Sequence, residues 1–229
     1  MKKYFFLAIA GLLLAASQLS AQISVEAGYE NSRYRQTYSN EVEWSDPLQG
    51  FNVGAYYNIN LMSNDIHAFS IQPGLKYSYV MTTEQEGEGP YSMNLSLNQH
   101  YLNLPVRFQY AARVMPGLRV MAFAGPNFCL GLSNTLDMDV EMAGFQMDGT
   151  IDLYTGKASG DIQELLGEVD VMDENLRRFD VSAQVGLGVE ILDRYEIRGG
   201  YDFGLMNMMD LGDVRMTRNT FFVGLGIRF

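Results

Sequence analysis

Apolar and polar residues alternate with a period of two along eight stretches of this chain. Over residues 23–30, Ile23, Val25, Ala27 and Tyr29 share one face, and Ser24, Glu26, Gly28 and Glu30 the other. Over 51–61, Phe51, Val53, Ala55, Tyr57, Ile59 and Leu61 alternate with Asn52, Gly54, Tyr56, Asn58 and Asn60. The pattern recurs over 69–79, 100–110, 179–191, 195–205 and 221–229. A further stretch, 118–132, reads as a strand of ambiguous facing, because both of its alternate sets are largely apolar. A period of two sends successive side chains to opposite faces of a sheet, so eight β-strands are expected.

The connections between these stretches alternate in length. Those near 62–65, 115–117 and 192–194 are short, whereas 36–49, 82–96, 133–178 and 207–218 are long. Membrane barrels have short periplasmic turns and long outer loops. The expected fold is therefore all-β: an eight-stranded antiparallel transmembrane β-barrel with up-and-down meander order. The even strand count puts both termini at the periplasmic end. The extracellular loop 133–178 carries a helical pattern, with Asp161 as a cap, Glu164 as its capping-box partner, and Ile162, Leu165, Leu166 and Val169 at helical spacing. The plainer alternative is a loop that packs on itself and includes strand extensions.

The polar face decides between a soluble barrel and a membrane barrel. It is rich in Gly, Ser, Asn and Gln, with the acids Glu26, Glu30, Asp180, Glu190, Glu196 and Asp202 and the bases Lys76, Arg107, Arg198 and Arg228. The interior of an eight-stranded cylinder is just wide enough to be filled by side chains. Charges placed there must be paired or hydrogen-bonded. These ten residues are expected to form an interior charge network that plugs the barrel. The outward set carries aromatics near both rims, Phe51, Tyr79, Phe128, Phe179 and Phe221 at one and Phe69, Phe108, Tyr110, Tyr195 and Phe229 at the other, as aromatic girdles require.

Composition agrees. Gly 23, Tyr 14 and Phe 13 against Pro 6 suit sheets with little interior bulk. Residues 1–21 read as a signal peptide: Lys2 and Lys3, an apolar run from Tyr4 to Ala16, and small residues ending at Ala21. Its removal takes the formal net charge from −11 to −13 and leaves 22–229 as the barrel domain. An acidic chain does not attract nucleic acid. The lone Cys129 cannot form an internal disulfide.

The C-terminal stretch ends on Phe229, with Phe221, Val223, Leu225 and Ile227 at every second position before it. This resembles the terminal signal by which barrel-assembly machinery recognises outer-membrane proteins. The order of four motifs, Tyr101-Leu102-Asn103-Leu104-Pro105-Val106, Ala124-Gly125-Pro126, Gly186-Leu187-Gly188-Val189-Glu190 and Tyr201-Asp202-Phe203-Gly204-Leu205, resembles the PorT-like outer-membrane β-barrel family of Bacteroidetes. That resemblance implies an eight-stranded outer-membrane barrel and no defined activity. Its founding member is linked to protein secretion.

Candidate chemistry is sparse. The histidines are His67, by a short turn, and His100, which shares the outer rim with Ser92 and Ser96. Their spacing specifies no triad. Asp137, Asp139 and Glu141 alternate and Asp170 and Asp173 lie nearby, without the spacing or glycine of a calcium loop. The strand glycines lack the strand-to-helix turn of a phosphate cradle. The Gly125-Pro126 pair is expected to mark a bulge or strand end, because proline lacks a ladder donor. No enzyme, cofactor or metal site is expected. The function class expected is a structural or surface-interaction protein. The alternative is a narrow channel or an accessory component of transport or protein secretion across the outer membrane. Expected partners are outer-membrane lipids, the barrel-assembly machinery and a surface or periplasmic protein.

Overall fold

The computed structural model describes residues 23–38, 41–88, 91–142, 145–161, 163, 176–209 and 215–229. Residues 1–21, read from the sequence as a signal peptide, lie outside them. So does the helix expected from Asp161 onward, apart from Asp161 and Gln163.

Eight strands close into an antiparallel ring: β1 (Ile23–Tyr38), β3 (Leu48–Tyr57), β5 (His67–Glu88), β6 (Tyr91–Met115), β7 (Leu118–Met142), β10 (Phe179–Ile191), β11 (Tyr195–Gly204) and β12 (Arg215–Arg228). The ring shuts where β12 pairs with β1, from Ser24 opposite Arg228 to Thr37 opposite Arg215. Four further strands lie off the ring or extend it. β2 (Glu41–Trp44) folds back on the end of β1, and β4 (Ile59–Ser63) continues β3 along β5 after a break at Asn58. β8 (Phe145–Asp152) and β9 (Lys157–Gly160) build outward from the far end of β7. The described residues thus hold twelve strands, where the sequence predicts eight.

The difference lies in the segments expected as loops. Residues 82–88 pair without a break with 91–97, as far as Glu88 opposite Tyr91, and 135–142 pair with β8. Strand β6 alone has 25 residues, a rise of roughly 80 Å, against the roughly 10 residues that cross a membrane. The surplus stands out beyond the ring as a sheet of β5 to β9. Strand pairing needs no lipid-facing stripe. Polar cross-strand contacts serve instead, such as Thr83 Oγ1 with Ser96 Oγ at 3.1 Å and the Thr150 hydroxyl donating to Asp137 at 2.7 Å. The apolar alternation is accordingly absent where β5 continues, over 82–88, although it persists over 91–97 and 135–142.

Two irregularities shape the wall. At the rim, His100 faces Ser133 but Tyr101 faces Gly131, so Leu132 is an extra residue in β7. This bulge lets Gly131 and Asn134 both lie inward, with Asn134 buried. Lower down, Gly125-Pro126 is neither a bulge nor a strand end, contrary to expectation. Strand β7 passes through it in constant register, Ala183 opposite Pro126 and Gln184 opposite Gly125. The pairings of Val106 and Arg107 with this dipeptide drop out of the β6–β7 ladder, while the register on either side is unchanged. The backbones approach closely there: a Cβ on Gly125 would sit 1.9 Å from the Val106 carbonyl oxygen.

The ring is turned inside out relative to a soluble protein. Leu187 and Leu225 are 69% and 66% exposed, while Arg107 and Gln72 are 1% and 0% exposed. The stretch of ambiguous facing is resolved by the same rule: Met121, Phe123 and Cys129 point in, and Phe128, Leu130 and Leu132 point out. Introducing alanine or valine at Gly125 should cost about 1–3 kcal/mol through overpacking against that carbonyl. Urea unfolding in detergent, followed by heat-modifiable gel migration, should show the loss, with valine worse than alanine.

Candidate functional site

The interior is a stack of polar layers. At the short-turn mouth, Glu190 of β10 and Glu196 of β11 face each other directly, an arrangement that repels unless a cation intervenes. Arg228 of β12 supplies it, pairing with Glu190 and donating from Nη2 to Glu196 Oε1 at 2.6 Å. Arg119 closes the mouth, 3.1 Å from Glu190 and 3.4 Å from Asp193. One layer up, Arg198 donates to Glu196 Oε2 at 2.9 Å and to Gln72 Oε1 at 2.8 Å, and pairs through Nε with Glu26 Oε1 at 3.0 Å.

Arg107 occupies the centre. Its Nη1 donates to both Glu26 oxygens at 3.0 Å, its Nε to Gln184 Oε1 at 2.7 Å and its Nη2 to the Tyr56 hydroxyl at 3.1 Å. The guanidinium also lies 4.1 Å from the Tyr56 ring centroid and 4.8 Å from that of Phe123, within cation–π range. Space for the rings comes from glycines: a Cβ on Gly186 would meet Phe123 at 2.2 Å, and one on Gly200 would meet Phe222 at 2.6 Å. Gln184 passes the network on to Asp202 at 2.8 Å, and Asn127 donates to the other Asp202 oxygen at 3.1 Å. Lys76 pairs with Glu30 at 2.5 Å and sits 5.3 Å from the Phe222 centroid.

Towards the long-loop end the charges thin out. Ser32 and Thr220 hydroxyls meet at 2.8 Å, and Tyr34 and Tyr101 both donate to Gln99 Oε1, at 2.8 and 2.7 Å. Arg218 stacks 3.9 Å from the Tyr101 centroid, donates to Cys129 Sγ at 2.9 Å and lies 3.7 Å from Asp180. Above it, Leu48, Val80, Met208 and Met216 form an apolar cluster with Tyr34 and Tyr101. Next to this cluster Tyr154 is buried under Arg178, whose guanidinium lies 4.7 Å from its ring; burial raises the Tyr154 pKa.

All ten residues proposed for the interior charge network point inward. Nine are buried, and Arg228 is half-buried at the mouth. They divide into the linked group Glu26, Arg107, Glu196, Arg198, Glu190 and Arg228, the pair Glu30–Lys76, Asp202 with its donors Gln184 and Asn127, and Asp180 in its ion pair with Arg218. The sequence reading missed Arg119, Arg218, Tyr56, Phe123 and Phe222. Parity was available for Arg218, which shares the inward set with Phe222 once β12 is extended back to Arg215. The C-terminal residues Phe221, Val223, Leu225 and Ile227 are exposed on the outer face of β12, and the Phe229 N–H donates to the Ile23 carbonyl at 2.9 Å.

The residues weighed for chemistry do not converge. Ser92, Ser96 and His100 follow one another along β6 at intervals of about 13 Å. His100 Nδ1 lies 2.6 Å from the Tyr77 hydroxyl and Ser96 bonds Thr83. His67 Nδ1 lies 2.7 Å from the Tyr110 hydroxyl. Asp137 accepts from Asn98 and Thr150. Among the described residues no group of three or more His, Cys, Asp or Glu is placed to hold a metal ion. Asp170 and Asp173 lie outside them.

A closed antiparallel ring with an apolar outer face and a polar, charge-paired interior defines an outer-membrane β-barrel. The chain matches the model of the outer membrane protein beta-barrel domain over residues 16–210, and it belongs to that family. No curated protein matches the sequence. Among solved structures it is similar to Ail of Yersinia pestis, crystallised with the heparin analogue sucrose octasulfate, at 14% identity and a TM-score of 0.41, covering 91% of this chain and 99% of that one. It is similar also to OprG from Pseudomonas aeruginosa, at 9% identity, TM-score 0.41 and coverage of 91% and 96%. The outer-membrane protease OmpT from Escherichia coli matches at 6% identity and a TM-score of 0.43, covering 91% and 97%. At these values none of the three likenesses bears on activity.

Removing one partner from a buried ion-pair group leaves the other charge uncompensated, at a cost of roughly 3–5 kcal/mol. Arg107→Ala should therefore destabilise the barrel by about that amount. Arg107→Ala combined with Glu26→Gln should cost clearly less than the two single changes added together. Urea titration of the four proteins in one detergent measures both quantities.

Proposed function

We propose that this protein is an eight-stranded transmembrane barrel of the outer membrane, of the PorT-like type found in Bacteroidetes, with a structural or surface-interaction role and an interior closed to solutes. The observation that carries the reading is the continuous polar stack from Arg228 at one mouth through Arg107 to Arg218, under the cap of Leu48, Met208 and Met216. An eight-stranded ring leaves space for side chains only, and here that space is taken by paired charges and rings. In this reading residues 1–21 direct export, both termini lie in the periplasm, and the sheet of β5 to β9 stands outside the cell as the surface presented to partners. The outward row Phe221, Val223, Leu225, Ile227 and Phe229 serves as the signal for the barrel-assembly machinery.

Planar-bilayer recording on the refolded protein should give no stable, reproducible conductance steps. Steps of fixed size would overturn the closed interior. Protease added to intact cells should cut within the 143–178 region while leaving a membrane-embedded fragment containing the C-terminus. Cleavage seen only after the outer membrane is permeabilised would reverse the assigned orientation.

A further inference from the structure

The seam where the ring closes carries a second polar feature, on its outside. The outward residues of β1 run Ile23, Val25, Ala27, Tyr29 and then change to Asn31, Arg33, Arg35 and Thr37. Those of β12 run Ile227, Leu225, Val223, Phe221 and then Asn219, Thr217 and Arg215. The change occurs at the same height on both strands, since Asn31 faces Phe221 and Arg33 faces Asn219. Arg33 therefore stands about 7 Å along the strand above Asn31, just past the apolar band. That is headgroup depth. Beside it lies a recess of about 360 Å³ lined by Asn31, Arg33, Trp44, Tyr201, Asn219 and Phe221.

The charged group of this recess and its one buried unpartnered polar atom are both donors. Arg33 is exposed and makes no ion pair among the described residues, and no carboxylate lines the recess. Asn219 is only 8% exposed, and its Nδ2 has no acceptor, while its Oδ1 is used by the Gly204 N–H at 3.4 Å. A buried amide donor without a partner needs an explanation. Arg35 continues the positive face one step higher, opposite Trp44, and Arg215 lies opposite Thr37. The acids of the same hairpin, Glu41 and Glu43, face Tyr38 and Gln36 on the other side of the sheet.

We propose that this recess binds the phosphate of an outer-leaflet lipid headgroup, with Arg33 and the Asn219 amide as donors and Trp44, Tyr201 and Phe221 holding the sugar or acyl-proximal part. A guanidinium with a neutral donor beside it suits a phosphate oxygen set, and aromatic rings are favoured at this depth. The lipid source is chosen over free phosphate because the recess opens directly above the lipid-facing band. The assignment to the outer leaflet rests on the orientation proposed above.

The test is native mass spectrometry of the mature full-length protein, refolded in detergent. It is offered bisphosphorylated lipid A, the same lipid with its phosphates removed, or inorganic phosphate alone. The wild type should retain the phosphorylated lipid and not the dephosphorylated one. Arg33→Ala should lower retention at least about tenfold, and Asn219→Leu should lower it too. Arg113→Ala, at the opposite rim, should leave it unchanged, with folding of each variant checked by heat-modifiable migration. Equal retention by Arg33→Ala and wild type, or of both lipids by the wild type, would overturn the proposal. Displacement of the lipid by millimolar inorganic phosphate would also overturn it, as a free-phosphate site. Retention in detergent does not depend on which rim faces outward, so its failure leaves the orientation untouched, and a reversed orientation leaves the binding result standing.

Discussion

A guanidinium withdrawn from water at the centre of a cylinder must be satisfied on every side, and the interior of this barrel is arranged around that demand at Arg107. Its neutralising partner, Glu26, also answers Arg198; Arg198 answers Glu196, and Glu196 answers Arg228. Each charge is thus held by at least one that is itself held elsewhere, and the chain of dependence reaches the mouth. The faces of the guanidinium meet Tyr56 and Phe123 rather than water. Those rings fit only because the strands facing them carry glycine. Charge, ring and missing side chain are consequently one feature spread over all eight strands of the ring, with Gly74 of β5 making room for Tyr56 and Arg228 supplied by β12.

Much of this was legible in the sequence, for a simple reason. Lipid outside and polar filling inside impose opposite requirements on alternate residues, so the period of two survives wherever a strand crosses the bilayer. Glu26, Lys76, Arg107, Arg198 and Asp202 were identifiable as inward from that parity alone. The signal fails where one of the two solvents changes. In 118–132 the inside is partly apolar, because Phe123 packs against a cation, and the two faces then look alike. Beyond the rim the lipid is gone, and 82–88 is strand without an apolar stripe, whereas 91–97 and 135–142 keep the alternation inside segments assigned to loops. Pro126 misled in another way. Its missing donor does remove pairings, but the flanking strands hold the register, so the local preference for a break is overridden.

The projecting sheet and the closing seam give the barrel two unlike sides. On the sheet, Asp139 of β7 sits directly opposite Asp148 of β8, and Asp137 and Glu141 share that face. Like charges in register weaken a sheet, so stability there has to come from the long β5–β6–β7 pairing that continues upward from the membrane. On the outward face of the seam the exposed charges are the guanidinium groups of Arg33, Arg35 and Arg215. The acidic face of the sheet and the basic outward face of the seam thus lie apart, and the overall figure of −11 conceals this.

The single extra residue at Leu132 sets how the two halves of β7 relate. Below it the inward residues are odd-numbered, Met121 to Gly131; above it the face that continues from the buried Asn134 is even, through Leu136, Met138 and Val140. The sequence of the projecting sheet is therefore written in a reading phase one residue out of step with the barrel that carries it. Insertions and deletions are tolerated differently on either side as a result. Two residues added or removed near the rim preserve the phase, whereas one exchanges the apolar and acidic faces of everything beyond. In evolutionary terms the bulge is a joint at which projecting segments of different origin can be grafted, provided their length respects that parity.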